Sequence, residues 1–259
     1  KKVVSQFSLF DDTFFSAVMQ DKAAAEYVIR LCIDIPDLKL ISSNIQQALR
    51  NLIGKSSILD FIGEDSTGNV INIEVQNAED KRGFGPKRTR FHQSIIDASL
   101  VPKGVTYDKL PEVYVIFITP FNPLKEYGHE KVAYISTTHL DGVEWNNEVH
   151  EIYLNAEVKD NSKLSEMLQY FKTADPDDDR FGPLSEAVKR LKCFDGEVDK
   201  MCRAVEEYAE EREKIAKEKA TEETKVEIVD ELLKDGCTLE KALKLAKLDE
   251  ETYNKYKIA

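Results

Sequence analysis

The sequence predicts an α/β fold with a mixed central sheet, followed by a helical tail. Three observations predict it. Helical apolar spacing near the start gives way to three short segments of strand character. A nearly continuous apolar run, Pro111 to Thr119, has the length and the β-branched and aromatic content of a buried central strand. From Glu197 to Leu233 the chain contains neither proline nor glycine and becomes charge-rich. A length of 259 residues suits one large domain, or one domain with an appendage.

The elements follow in order. Phe14, Phe15, Val18, Met19, Tyr27, Val28 and Leu31 recur at three- and four-residue spacings, which predicts a helix from Asp11 to Asp34. Asp11 and Asp12 stand where an N-cap is wanted, and Ile35-Pro36 stops the helix. Strands are expected at Leu38 to Gln46, Ser57 to Gly63 and Asn69 to Gln76, the last two joined by a loop around Ser66-Thr67-Gly68. A basic, glycine-containing stretch, Lys81 to Arg90, leads into a helix from Lys87 to Leu100. After the apolar run come strand candidates at Val132 to Thr137 and Val149 to Leu154, then helices at Ser162 to Lys172 and Pro183 to Phe194. In the tail, Glu206 to Lys225 carries eight acidic and five basic residues, many at i,i+4 spacing, as a solvated helix does. Asp235-Gly236 breaks it, and Thr238 caps a second helix through Leu248. Residues 249–257 suit a third short helix. The expected division is a domain over residues 1–195 and a helical tail over 196–259, ending in a small helix-turn-helix-like unit.

Composition narrows the function. Lys and Arg number 36 and Asp and Glu 48, so the net charge of -12 argues against a generally basic nucleic-acid coat and against a basic membrane binder. No run of 18 apolar residues offers a membrane span, and the opening residues lead into no signal-peptide core. Cys32, Cys193, Cys202 and Cys237 form no C-x-x-C pair, which fits thiols in a reducing cytoplasm. No histidine pair at helical spacing supports a structural zinc site.

The chemistry concentrates around Gly68. Alternation along a strand puts Asn72, Glu74 and Gln76 on one face. With Ser66-Thr67-Gly68 as a three-residue loop, Asp65 pairs with Asn69, and Asp60 lies opposite Glu74. Such carboxylates stand roughly 5 Å apart at Cβ and repel unless a cation joins them. Mg²⁺ takes oxygen ligands of this kind, together with waters and substrate phosphate. A loop one residue longer would turn Asp60 to the other face, so register carries the inference. A polar strand face is ordinarily just a wet one. Against that stands the adjacent basic stretch, where five of ten residues are Lys or Arg and none is acidic. Lys87, Arg88 and Arg90 open a helix, whose N–H groups also attract anions, and arginine's planar fork suits phosphate.

At this point the sequence resembles a known family. The order of elements, with Asp60…Glu74-Val75-Gln76 on the second and third strands, is similar to the PD-(D/E)XK nuclease superfamily, with its restriction-endonuclease-like αβββαβ core. Within it the chain resembles the nuclease-family transposases, related to the recombination-promoting nucleases. The likeness spans about residues 9–205 and includes Asp11-Asp12-Thr13-Phe14-Phe15, Asn72 to Gln76, Lys87 to Phe91, Tyr107 to Glu112, Tyr114 to Thr119, His150 to Asn155 and Thr173 to Asp178. It implies a DNA endonuclease dependent on Mg²⁺, with Mn²⁺ as an alternative ion. Asp60 and Glu74 become the metal-binding carboxylates, with the Val75 carbonyl as a further ligand. Gln76 takes the catalytic position that the superfamily fills with lysine. Lys87, Arg88 and Arg90 become the DNA-phosphate contacts. Because Gln76 is neutral, it orients water but serves as no base. That leaves Lys81, Lys87 or solvent for the proton, and Asp12 or Glu26 as a third acid.

Other residues invite blander readings. Asp175, Asp177, Asp178 and Asp179 suit a helix-capping loop better than a calcium loop. His92 and His150 have no catalytic partner at a recognisable spacing, and Trp145 is expected to pack within a loop. Lys241, Lys244 and Lys247 share a helix face, and only a true helix-turn-helix would take that face to DNA. The expectation is a DNA-cleaving, transposition- or recombination-related hydrolase in the cytoplasm, with no membrane partner. The alternative is a weakened nuclease fold that binds DNA or protein through its helical tail, which also offers a route to homo-oligomers.

Overall fold

The computed structural model describes residues 4–49, 57–77, 85–100, 106–194, 196, 198, 203, 217, 220–250 and 252–254. The chain forms two compact units, Lys1–Cys202 and Arg203–Ala259. Lys81, Arg82 and most of the expected charge-rich helix before residue 220 lie outside the described residues.

The first unit begins with two helices where the spacing predicts one. Helix α1 is Asp12–Met19 and α2 is Lys22–Ile33. The division falls at Gln20 and Asp21, because the Asp21 carboxylate accepts the N–H groups of Ala23 and Ala24 and caps a new helix. Apolar periodicity continues through such a cap, so only the side-chain bonds reveal it. Both helices turn an apolar face inward: Phe14, Phe15, Val18 and Met19 from α1, and Val28 and Ile29 from α2, are fully buried.

Strands β1 (Leu40–Leu49), β2 (Ser57–Asp65), β3 (Val70–Val75), β4 (Val113–Thr119), β8 (Val149–Asn155) and β5 (Ala133–Ile135) form one sheet in that spatial order. The first three pair antiparallel, β3 with β4 and β4 with β8 pair parallel, and β5 is antiparallel to β8. Every residue of β4 is buried, as the continuous apolar run predicts for a strand covered on both faces. Helix α3 (Pro86–Leu100) connects β3 to β4, and its Ile96 joins Val70, Val113, Val115 and Phe117 in one apolar cluster. Helices α4 (Lys163–Thr173) and α5 (Pro183–Cys193) follow β8. Phe171 of α4 packs against Phe10 and Phe15, with ring centroids about 6 Å apart.

A second, two-stranded sheet pairs β6 (His139–Leu140) with β7 (Val143–Glu144). Its turn is Asp141-Gly142, both residues at positive φ (50° and 80°), as a type I′ hairpin requires. Trp145 beyond it is 61% exposed, so it does not pack as expected. The aspartates at 175–179 cap locally: Asp175 Oδ1 accepts the Asp177 N–H, and Asp178 accepts the Arg180 N–H and pairs with its guanidinium.

In the second unit, residues 220–234 are helical (α6) and Leu239–Ala246 form α7. Gly236 sits at φ 85° between them, where the Cys237 N–H reaches the Leu232 carbonyl at 3.0 Å and closes the end of α6. Val226, Val229, Ala242, Leu243, Ala246, Leu248 and Tyr253 build a small core of its own. Tyr253 donates to Asp230 at 2.7 Å and ties the last described helical residues to α6.

Candidate active site

The hairpin loop sets the geometry. Asp65 Oδ1 accepts from the Thr67 N–H, the Thr67 hydroxyl and the Asn69 N–H, and Oδ2 accepts from the Asn69 amide. Burial alone would raise this carboxyl, but these bonds outweigh it and hold the group below its ordinary range. Gly68, at φ 92°, completes the three-residue loop, and the Asp65 N–H donates to the Asn69 carbonyl at 3.0 Å. The strands therefore take the register that a three-residue loop predicts. Phe61 stands opposite Ile73 and Ile62 opposite Asn72, which aligns Asp60 with Glu74.

The two carboxylates meet. The Asp60 N–H donates to Glu74 Oε1 at 3.2 Å, and the Val75 N–H donates to Asp60 Oδ2 at 3.1 Å. Glu74 is 1% exposed. Burial, reinforced by the charge of Glu74 and then of Asp12, pushes the Asp60 carboxyl up to about 8; the Val75 N–H and Arg88 pull the other way.

Other elements complete the site. Helix α3 presents Arg88 and His92, four residues apart and so on one face. Arg88 Nη1 donates to Gln76 Oε1 at 2.9 Å, Nη2 lies 3.5 Å from Glu74 Oε2, and the guanidinium sits over the Phe117 ring. Lys87 and Arg90 point away on the exposed side of the same helix. Of the three cations expected at phosphate, only Arg88 is beside the carboxylates. Gln46 of β1, held at φ 50°, donates to Ser16 of α1 at 3.1 Å and approaches Asp60 Oδ1 at 3.5 Å. Asp12, one turn before Ser16 on α1, lies close enough to act on Asp60 electrostatically. Glu26 is engaged elsewhere, with Arg30 at 2.8 Å and the Leu40 N–H at 2.9 Å. Of the two candidate third acids, Asp12 is the one near the pair.

His92 departs from the expectation of a histidine with no catalytic partner. It is 2% exposed, its Nδ1 lies 3.5 Å from Glu74 Oε1, and its ring packs on Phe117. Its one sequence signal is the Arg88-x-x-x-His92 spacing, read from a helix whose position over β3 is set by packing. Gln46 carried no comparable signal. His150, by contrast, pairs with Glu112 at 2.6 Å and stacks on Tyr114.

Two carboxylates side by side, one raised by burial and by the charge of the other, form a donor set of the kind that a hard divalent ion accepts. Asp60 Oδ1 and Glu74 Oε2 are approached no closer than 3.5 Å among the described residues, by Gln46 and by Arg88. Among the described residues no three His, Cys, Asp or Glu side chains gather closely enough to hold a metal by themselves. An ion here would need water or phosphate to fill its shell. No helix among the described residues is long and apolar enough to cross a membrane.

No curated protein and no solved structure matches the chain. The family model for the PD-(D/E)XK nuclease family transposases matches residues 33–234, which takes in the whole sheet and α3 but not Asp12 or Ser16. A six-stranded mixed sheet flanked by helices is consistent with a fold of that kind. With more than three quarters of its length matched, the chain belongs to the PD-(D/E)XK nuclease family transposases.

Proposed function

We propose that the protein is a metal-dependent DNA endonuclease acting in a transposition- or recombination-related reaction. The observation that carries the reading is the meeting of Asp60 and Glu74 across β2 and β3 with Arg88 beside them. Family membership supports a nuclease- or transposase-related role at the coarser level. The proposed metal ligands are Asp60 and Glu74, with Mg²⁺ as the ion and Mn²⁺ as its substitute. When bound, such an ion polarises the scissile phosphate and makes a nearby water a better nucleophile.

The chain's own residues do the rest. The Val75 N–H holds Asp60 in place. Arg88, whose contact with Gln76 Oε1 fixes the orientation of that amide, supplies positive charge toward the phosphate. Gln76 orients water but accepts no proton, so the proton passes to solvent. Lys87 and Arg90, exposed on α3, contact flanking phosphates and set binding strength. Asp12 is the proposed third acid, acting on the site through its charge rather than as a third direct ligand.

The test is cleavage of supercoiled plasmid with Mg²⁺ or Mn²⁺. Asp60→Asn and Glu74→Gln are expected to abolish nicking, and undiminished cleavage by either variant would mean that the site lies elsewhere. A second reading, a nuclease fold that binds without cutting, is favoured by the neutral Gln76. It predicts DNA retention with no cleavage under any metal condition, and assembly through the tail alone.

A further inference from the structure

Glu74 is held unevenly. Its Oε1 receives the Asn72 amide at 2.9 Å and the Asp60 N–H at 3.2 Å, while His92 Nδ1 approaches to 3.5 Å without hydrogen-bonding to it. Its Oε2 has Arg88 at 3.5 Å. Asn72 is fully buried and braced by a second bond to the Phe61 carbonyl at 3.0 Å. Its Oδ1 has no hydrogen-bond partner among the described residues, an arrangement that costs free energy and persists here with the amide nitrogen committed to Glu74. His92 comes from a different element, α3, and is wedged against Phe117 of β4, the residue paired with Glu74 across the parallel strands.

We propose that Asn72, by its hydrogen bond, and His92, by its close electrostatic approach, are positioning residues that hold Glu74 Oε1 to the protein and leave Oε2 as the working oxygen of the site. The inference rests on the reading of Asp60 and Glu74 as metal ligands. Without the pin, a buried glutamate beside a second carboxylate rotates to the position of least repulsion. With it, the carboxylate keeps one face toward the site, and among the described residues an incoming cation has only Arg88 to displace from Oε2. Partners that orient ligands in this way characteristically set metal affinity about 10–100-fold.

The experiment measures Mn²⁺ binding to the full chain by calorimetry, without DNA, alongside thermal unfolding in the absence of metal. Asparagine at position 92 places an amide where the imidazole Nδ1 was, whereas leucine and glutamine do not. Wild type and His92→Asn are expected to bind Mn²⁺ within about threefold of each other, while His92→Leu and His92→Gln weaken it at least about tenfold. Asn72→Leu is expected to weaken it similarly. Should the leucine variants fail to fold, the His92→Asn and His92→Gln comparison carries the test by itself. Equal Mn²⁺ affinity in wild type and His92→Gln, or equal loss in His92→Asn and His92→Gln, overturns the positioning role. Wild-type protein that binds no Mn²⁺, with Asp60→Asn indistinguishable from it, overturns the metal reading itself.

Discussion

Replacing Asp60 by asparagine is expected to stabilise the metal-free protein while ending cleavage. The carboxyl is driven up from 3.8 to about 8, first by burial and then by Glu74. A group raised on folding binds more protons in the native state, so its favourable contribution is complete below about pH 4. It is lost as pH rises towards 8. At roughly 1.4 kcal/mol per unit, the whole displacement has a ceiling of about 6 kcal/mol. Relaxation of the coupled pair brings the expected effect down to about 2–3 kcal/mol. Asparagine keeps the shape and an oxygen for the Val75 N–H but carries no charge. The difference in unfolding free energy between Asp60→Asn and wild type, from urea melts followed by circular dichroism in chelator, should therefore grow between pH 5 and pH 8.5. Mn²⁺ at about 1,000 times its Kd should reverse the order at pH 8, because such binding adds about 4.1 kcal/mol to wild type, more than the variant gains. A difference that is flat with pH, or a variant less stable than wild type at pH 8.5 in chelator, would refute the reasoning.

Three further outcomes follow from the same geometry. Arg88→Ala should lower turnover by about 10²-fold with little change in DNA affinity, whereas Lys87→Ala and Arg90→Ala should weaken binding and reduce its salt dependence by about one unit of slope each; plasmid kinetics and a salt titration of DNA binding separate them. Asp65→Ala removes the acceptor of four loop bonds and should cost about 2–3 kcal/mol. Because wild-type Asp65 is held below its ordinary range, the loss should be full above about pH 4 and shrink in acid, and cleavage should fall as the hairpin loses its register. Lys192 donates to the carbonyls of Phe7 and Ala174 at 2.6 and 2.7 Å, so Lys192→Met should release the segment before α1 and lower the melting temperature without changing metal affinity.

Local chemistry was legible along the chain. Asp65-Ser66-Thr67-Gly68 is a loop of definite length, and loop length dictates register, so Asp60 opposite Glu74 could be read without coordinates. The apolar run at β4, the proline before β1 and the glycine after α6 likewise announce themselves, because each acts on its own backbone. The cap at Asp21 and the Asp141-Gly142 hairpin were also local, but unbroken apolar spacing hid the first and short strands hid the second.

What the sequence by itself determined, then, was the fold class, the order of elements and the opposed pair of carboxylates, all of which arise from neighbouring residues. Only the tertiary structure decided the rest of the site. Asp12 and Ser16 arrive from α1 and Arg88 and His92 from α3, brought in by the apolar faces that those helices bury, and Gln46 arrives from β1 through its pairing with β2. The same packing separated Arg88 from Lys87 and Arg90, which sequence proximity had grouped together. It also left Glu26 bonded to Arg30, away from the pair. The physical reason is range: a hairpin loop positions residues through a few covalent bonds, whereas residues distant in the chain meet only where burial of the core brings their elements together.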